Sequence, residues 1–118
     1  MKSYDSGKYA ELMARIYFRI KGYRILKKNH KGRLKMPAGE VDFIATKNKT
    51  VIFVEVKKRQ TITKARYAIK PAQQKRIINA AKLFIKQNPC FQNYNIRFDA
   101  VLVQFPFKIV HILNAWQE

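Results

Sequence analysis

The feature that most constrains this chain is a pair of strand-like segments held against each other by a very short connection. Residues 40 to 46, EVDFIAT, and 51 to 57, VIFVEVK, are rich in β-branched and aromatic residues, and only Lys47 to Thr50 separate them. Asn48 is the turn residue, so the two segments read as a β-hairpin. A two-residue turn at Asn48-Lys49 and a four-residue loop over 47 to 50 give the same pairing. Asp42 then lies opposite Glu55, and Glu40 opposite Lys57. Side chains alternate along a strand, and directly paired residues share a face. All four charged side chains therefore converge.

That convergence needs a reason. The chain carries 25 Lys and Arg against 7 acids, yet Glu40, Asp42 and Glu55 all fall in the hairpin, where acids are disfavoured. Two opposed carboxylates have Cβ atoms about 5 Å apart and repel. A cross-strand salt bridge accounts for Glu40 with Lys57 but leaves Asp42 against Glu55 unexplained. A bound cation reverses the sign of that contact. Hard divalent ions take oxygen ligands and keep several waters. Asp42, Glu55 and the backbone carbonyl of Val56 thus form a candidate ligand set for Mg²⁺ or Mn²⁺. Lys57 is placed to stabilise phosphate charge or orient a water, and Glu40 to tune Lys57 as an outer acid.

Around the hairpin the chain reads as one domain, 1–118. Residues 7 to 21 predict a helix, with Tyr9, Leu12, Met13, Ile16, Tyr17 and Ile20 at helical spacing, a cap at Asp5 or Ser6, and Gly22 as its end. Its other side carries Gly7, Ala14 and Phe18, so the helix is expected to pack on two sides. Residues 23 to 30 predict a basic strand and 31 to 39 a loop. After a basic connection over 58 to 70, Pro71 opens a second helix running to about Gln87, stopped by Asn88-Pro89. Strands follow near 95 to 104 and 107 to 113. The order α-β-β-β-α-β-β implies an α/β fold with a mixed sheet flanked by helices.

The formal charge of +18 predicts attraction to polyanions. Nucleic acid is the leading partner; an anionic membrane surface is the runner-up, without the detachable basic amphipathic helix that usually marks it. No run reaches the length of a transmembrane helix, and the N-terminus lacks a signal-peptide core. Cys90 is the single cysteine, which excludes an internal disulfide and fits a reducing cytoplasm. His30 and His111 show no zinc spacing with Cys90. No glycine-rich phosphate loop points to ATP or NAD. Arg33, Lys58, Arg59, Gln74 and Lys75 are candidate phosphate or nucleic-acid contacts. Asp99 reads as structural, paired with Arg97 or a nearby base. Trp116 and the tyrosines read as packing residues.

The segments GEVDFIA (39 to 45) and VIFVEVKKR (51 to 59) resemble the YraN-like bacterial family, and the wider PD-(D/E)xK, restriction-endonuclease-like superfamily. The helix over 7 to 29, KRIINAAKLFI (75 to 85) and IRFDAVLV (96 to 103) are similar as well, so the resemblance spans nearly the whole chain. It implies a restriction-endonuclease-like core. It implies also that Asp42, Glu55 and Lys57 are the motif's two acids and lysine. Glu11 matches the first-helix acid that assists the metal site in Holliday-junction-resolvase-like members; read without the resemblance, it pairs equally well with Arg15. Val41 stands where the superfamily's name has proline, a departure the YraN-like family shares.

Two functions compete on these residues. One is a Mg²⁺- or Mn²⁺-dependent endonuclease acting on DNA in preference to RNA, branched or single-stranded, as a monomer or homodimer. The other is a non-catalytic nucleic-acid-binding module on the same fold.

Overall fold

The computed structural model describes residues 3–28, 41–58, 69–106 and 108–117, with the backbone alone for residues 3 to 6. Its elements are α1 (Ser3–Ile20), β1 (Arg24–Lys28), β2 (Phe43–Lys47), β3 (Thr50–Lys58), α2 (Pro71–Gln87), β4 (Asn95–Gln104) and β5 (Lys108–Trp116), with a short 3-10 turn at Pro89–Phe91. The expected order and α/β class are both present, in an arrangement consistent with a nuclease-like core. The five strands lie side by side in chain order. β3 and β4 are parallel, and every other neighbouring pair is antiparallel. A parallel pair cannot be joined by a tight turn, so the chain between them makes a crossover. That crossover contains α2, which packs on one face of the sheet, while α1 packs on the other.

The hairpin forms in the expected register: Phe43 pairs with Val54, Ala45 with Ile52 and Lys47 with Thr50. The loop is the two-residue form. Asn48 and Lys49 both have left-handed backbone, φ 52° and 58°, which matches the right-handed twist of the flanking strands. β3 is central, covered on both faces, and Val51 to Val56 are all buried. Its residues accordingly form a nearly unbroken apolar run, interrupted by Glu55.

α1 differs from the expected packing. Ala10, Ala14 and Phe18 are the residues it buries, against Phe43, Ala45, Ile52, Val54 and Val101. Leu12, Ile16 and Ile20, at the same four-residue spacing, are exposed, at 46%, 46% and 79%. Two apolar sides are present, but among the described residues only one is covered. The small alanines allow the helix backbone close to the sheet, and Phe18 fills the end of the contact. The helix also begins at Ser3, so Asp5 and Ser6 lie inside it. Gly22, at φ 94°, terminates it as expected, because a left-handed residue after a helix suits glycine.

The second helix has the expected bounds. β5 runs three residues past its expected end. Asn114 adopts φ 53° where the β4–β5 register shifts, and this bulge lets the strand resume and carry Trp116 into the core, opposite Phe98. No helix among the described residues is long and apolar enough to cross a membrane.

On the α1 face, Asp99 is wholly buried. Arg97 donates to it twice, at 2.9 and 2.8 Å, the Asn114 backbone N–H at 2.9 Å and His111 Nε2 at 2.6 Å. Burial alone raises this carboxyl, but the donors from His111, Arg97 and Asn114 outweigh it and hold the group below the usual carboxylate range. Asp99 is thus structural, as the sequence suggests, with Arg97 as its main partner.

Lys49 carries a side chain in a backbone region that penalises one. Lys49→Gly is expected to raise stability by about 0.5–1 kcal/mol. A urea midpoint equal to or below the parent's would contradict the left-handed turn.

Candidate metal-binding carboxylate site

Glu55 is 5% exposed and shares the α2 face of β3 with Val51 and Phe53. Among the described residues, Gln73 and Lys57 address it alongside Asp42. Gln73, in the first turn of α2, donates its Nε2 to Glu55 Oε2. Lys57, two residues along the same strand and partly exposed, places Nζ 3.4 Å from the same oxygen.

Asp42 sits one residue before β2, in a bend. The hairpin register, continued by that residue, sets it against Glu55. Asp42 Oδ2 accepts the Val56 N–H at 2.7 Å. The carboxylate thereby takes the place of a strand carbonyl where the β2 ladder has run out. Those contacts commit one oxygen of each acid, and the two carboxyl groups are hydrogen-bonding neighbours.

The electrostatic consequence is large. Burial first, and then the charge of Glu55, push the Asp42 carboxyl up to about 8; the Val56 N–H and Lys57 oppose the rise without cancelling it. Glu55 is raised too, by burial first, while Asp42 and Lys57 pull it down. Without a cation, the pair holds a proton that isolated carboxylates would release.

The donor set is carboxylate oxygen, with a strand carbonyl in reach. A residue in a hydrogen-bonded antiparallel pair turns its N–H and its C=O to the same edge. The Val56 carbonyl therefore lies on the Asp42 side, where its N–H already points. This is hard-ligand chemistry, suited to Mg²⁺ or Mn²⁺ and unsuited to soft metals.

The other expected residues are distributed unevenly. Glu11 is half-buried on α1, and its charge is felt at Glu55. Among the described residues no three acids, histidines or cysteines gather as a ligand set. Gln74 is not the residue of α2 that meets the carboxylates: its Nε2 donates to the Ile69 carbonyl at 2.9 Å. Gln73 takes that place, and had no role in the sequence reading. A signal for it exists, since stepping back four residues from the buried row Ala81, Ile77 lands on Gln73. Lys75 is exposed on α2. Lys58 alternates to the other face from Lys57, and its ammonium lies 5.8 Å from the centre of the Phe105 ring. Glu40, Arg33 and Arg59 lie outside the described residues.

Fold and site together define a class: a small basic α/β domain with two opposed carboxylates and a lysine at the open end of a central hairpin. Residues 10–103 match the model of a family described as Uncharacterised protein family UPF0102. The chain is 44% identical over 101 residues to a UPF0102 protein of Rhodopseudomonas palustris strain HaA2, covering 86% of this chain and 76% of the relative. It is 42% identical over 112 residues to one of Paramagnetospirillum magneticum, covering 94% and 86%. A third, from Nitrobacter winogradskyi, is 38% identical over 114 residues, covering 97% and 93%. The chain belongs to the UPF0102 family, the YraN-like family that its motifs resemble.

A carboxyl whose pKa is higher folded than unfolded gives stability that is complete below the unfolded value and lost as pH rises through the folded one. In EDTA, thermal stability is therefore expected to fall between pH 3.8 and about 8 on account of Asp42, and Asp42→Asn to remove much of that fall. Parallel melting-temperature profiles for the two proteins would sink this account of the site.

Proposed function

We propose that this protein is a divalent-metal-dependent nuclease that hydrolyses phosphodiester bonds in DNA. The observation that carries the reading is the pairing of half-buried Asp42 with buried Glu55, unfavourable as two charges and favourable around a cation, with Lys57 beside it. Asp42, Glu55 and the Val56 carbonyl would hold the ion. When bound, Mg²⁺ or Mn²⁺ supplies charge neutralisation at the phosphate and an acidified water.

The protein's own groups do the rest. Gln73 fixes the Glu55 rotamer, so the carboxylate need not reorganise when substrate arrives. Lys57 offers its ammonium to the phosphate oxygens as charge develops on them. Glu11 adds negative charge at longer range and acts as an outer acid. α2 begins beside Glu55, so the positive end of its dipole favours an anion on this side. The +18 charge draws polyanions to the surface without selecting among them. The single cysteine is compatible with work in a reducing cytoplasm.

The test is cleavage of single-stranded, branched and duplex DNA with Mg²⁺ or Mn²⁺. Asp42→Asn, Glu55→Gln and Lys57→Ala are each expected to lower turnover by about a hundredfold or more, while binding in EDTA persists. Gln73→Ala is expected to cost about ten- to a hundredfold through looser metal affinity. Parental rates in Asp42→Asn and Lys57→Ala would overturn the assignment. Tight binding without turnover under any metal would instead favour a non-catalytic nucleic-acid-binding module, which the +18 charge alone supports equally.

A further inference from the structure

The carboxylate site lies toward the end of the sheet where the parallel strands β3 and β4 finish, Lys57 beside Leu102 and Lys58 beside Val103. In open α/β sheets ligands gather outside the carboxyl ends of such strands. The turn joining β4 to β5 projects from that same end. Its first residue, Phe105, follows Gln104, the last residue of β4, and is 37% exposed. Glu55 pairs with Ala100. At the rise of a strand, Phe105 lies no more than about 17 Å beyond that pair.

Turns favour glycine, proline and small polar residues, so the turn itself has no need of a part-exposed phenylalanine. Nor does the ring stand alone. The Tyr9 ring, from α1, lies beside it with centroids 5.4 Å apart and planes 34° from parallel. The Lys58 ammonium is 5.8 Å from its centre. Lys108, which pairs with Gln104, is exposed on the other arm of the turn. Surface rings set among cations are the two parts of a single-strand site, where bases stack on the rings and phosphates meet the charges. Lys57 and Lys58 alternate to opposite faces of β3. One stands beside Glu55 and the other beside Phe105, so two ammonium groups link the carboxylates to the aromatic pair across the end of one strand. A cation on an exposed ring is worth less than a stacked base. An arriving base therefore displaces the Lys58 ammonium from the ring toward the neighbouring phosphate.

We propose that Phe105, backed by Tyr9, is a stacking platform for an unpaired base of the strand whose backbone reaches Asp42 and Glu55. The inference rests on the nuclease reading and names its substrate class: DNA that is single-stranded a few nucleotides from the bond to be cut. Bases within a duplex already stack on each other and offer no free face. Every base has a π-face, so a platform of this kind tolerates many sequences.

The experiment measures, in EDTA, the anisotropy of a labelled single strand, of a strand of equal length built entirely of abasic sites, and of a blunt duplex. Phe105→Leu keeps an apolar side chain and loses the ring. It is expected to bind the intact strand about five- to a hundredfold more weakly, and to bind the abasic strand and the duplex as the parent does. Phe105→Trp is expected to bind the intact strand at least as tightly as the parent. Ultraviolet crosslinking of the parent chain to a strand carrying iodouracil, with the joined residue located by mass spectrometry, is expected to mark Phe105 or Tyr9. Unchanged affinity in a folded Phe105→Leu overturns the proposal, as does an equal loss for intact and abasic strands. Crosslinks that all fall elsewhere overturn it on the parent chain alone. Vesicles rich in phosphatidylserine test for a membrane surface, which aromatic and basic side chains also suit. If Phe105→Leu loses vesicle binding and keeps strand binding, the platform is not for bases. These readouts need no turnover. A protein that never cuts with Mg²⁺ or Mn²⁺ yet stacks the base loses the nuclease reading and keeps the platform; one that cuts without stacking loses the platform alone.

Discussion

Glu55 is a carboxylate in the middle of a strand that has no solvent side. β2 flanks β3 on one edge and β4 on the other, and packed layers cover both faces. An acid there must be hydrogen-bonded, paired or protonated. Gln73 and Lys57 supply part of the answer, and Asp42 helps Glu55 keep its charge only by having its own carboxyl raised. The surrounding architecture follows from meeting this constraint. The tight turn at Asn48-Lys49 fixes the register that sets Asp42 against Glu55. The parallel pairing of β3 with β4 obliges the chain to cross over, and the crossover helix delivers Gln73.

Asp99 provides the internal contrast. It is buried more completely than Asp42, yet its carboxyl is held low where Asp42's is raised. The difference is the number and charge of the donors. Asp99 has the Nε and Nη2 donors of Arg97, His111 and a backbone N–H, so its lone pairs are used and its charge is balanced. Among the described residues Asp42 has one backbone N–H donor and faces another acid. Burial by itself therefore does not mark a functional acid; burial with incomplete compensation does. One sheet carries both outcomes on its two faces.

What the sequence made legible is what short-range chemistry decides. The hairpin register follows from strand composition and one asparagine. α2 follows from Pro71 at its start and Asn88-Pro89 at its end. The α1 packing face was not legible, because apolar residues recur on two sides of that helix and the choice depends on how closely the sheet can approach. Ala10 and Ala14 win over Leu12 and Ile16 by being small, a tertiary effect that periodicity does not see. Gln73 and Gln74 are chemically identical neighbours, and only the angle of the helix assigns one to the carboxylate. The extra length of β5 depends on a left-handed Asn114, which a strand pattern interrupted by polar residues conceals. The hydrogen-bond network of Asp99 joins residues from three parts of the chain, so only its sequence-local member, Arg97, was readable.

On the nuclease reading, the chain's charge and its acidic pair act on each other. A strongly cationic surface attracts any polyanion but also repels a divalent cation, so the metal-free, nucleic-acid-free protein is a poor metal binder relative to the same carboxylates in a neutral domain. Arrival of a phosphate backbone offsets that field. Binding free energies are reciprocal, so a metal ion between Asp42 and Glu55 must in turn raise the affinity for the strand whose phosphate it touches. The positive surface brings the strand, the strand makes the site accept the ion, and the two are held together only where backbone and carboxylates meet. A site with more acids would bind metal alone and lose that dependence. On that reading, a pair of carboxylates suits an enzyme that would assemble its metal centre on its substrate.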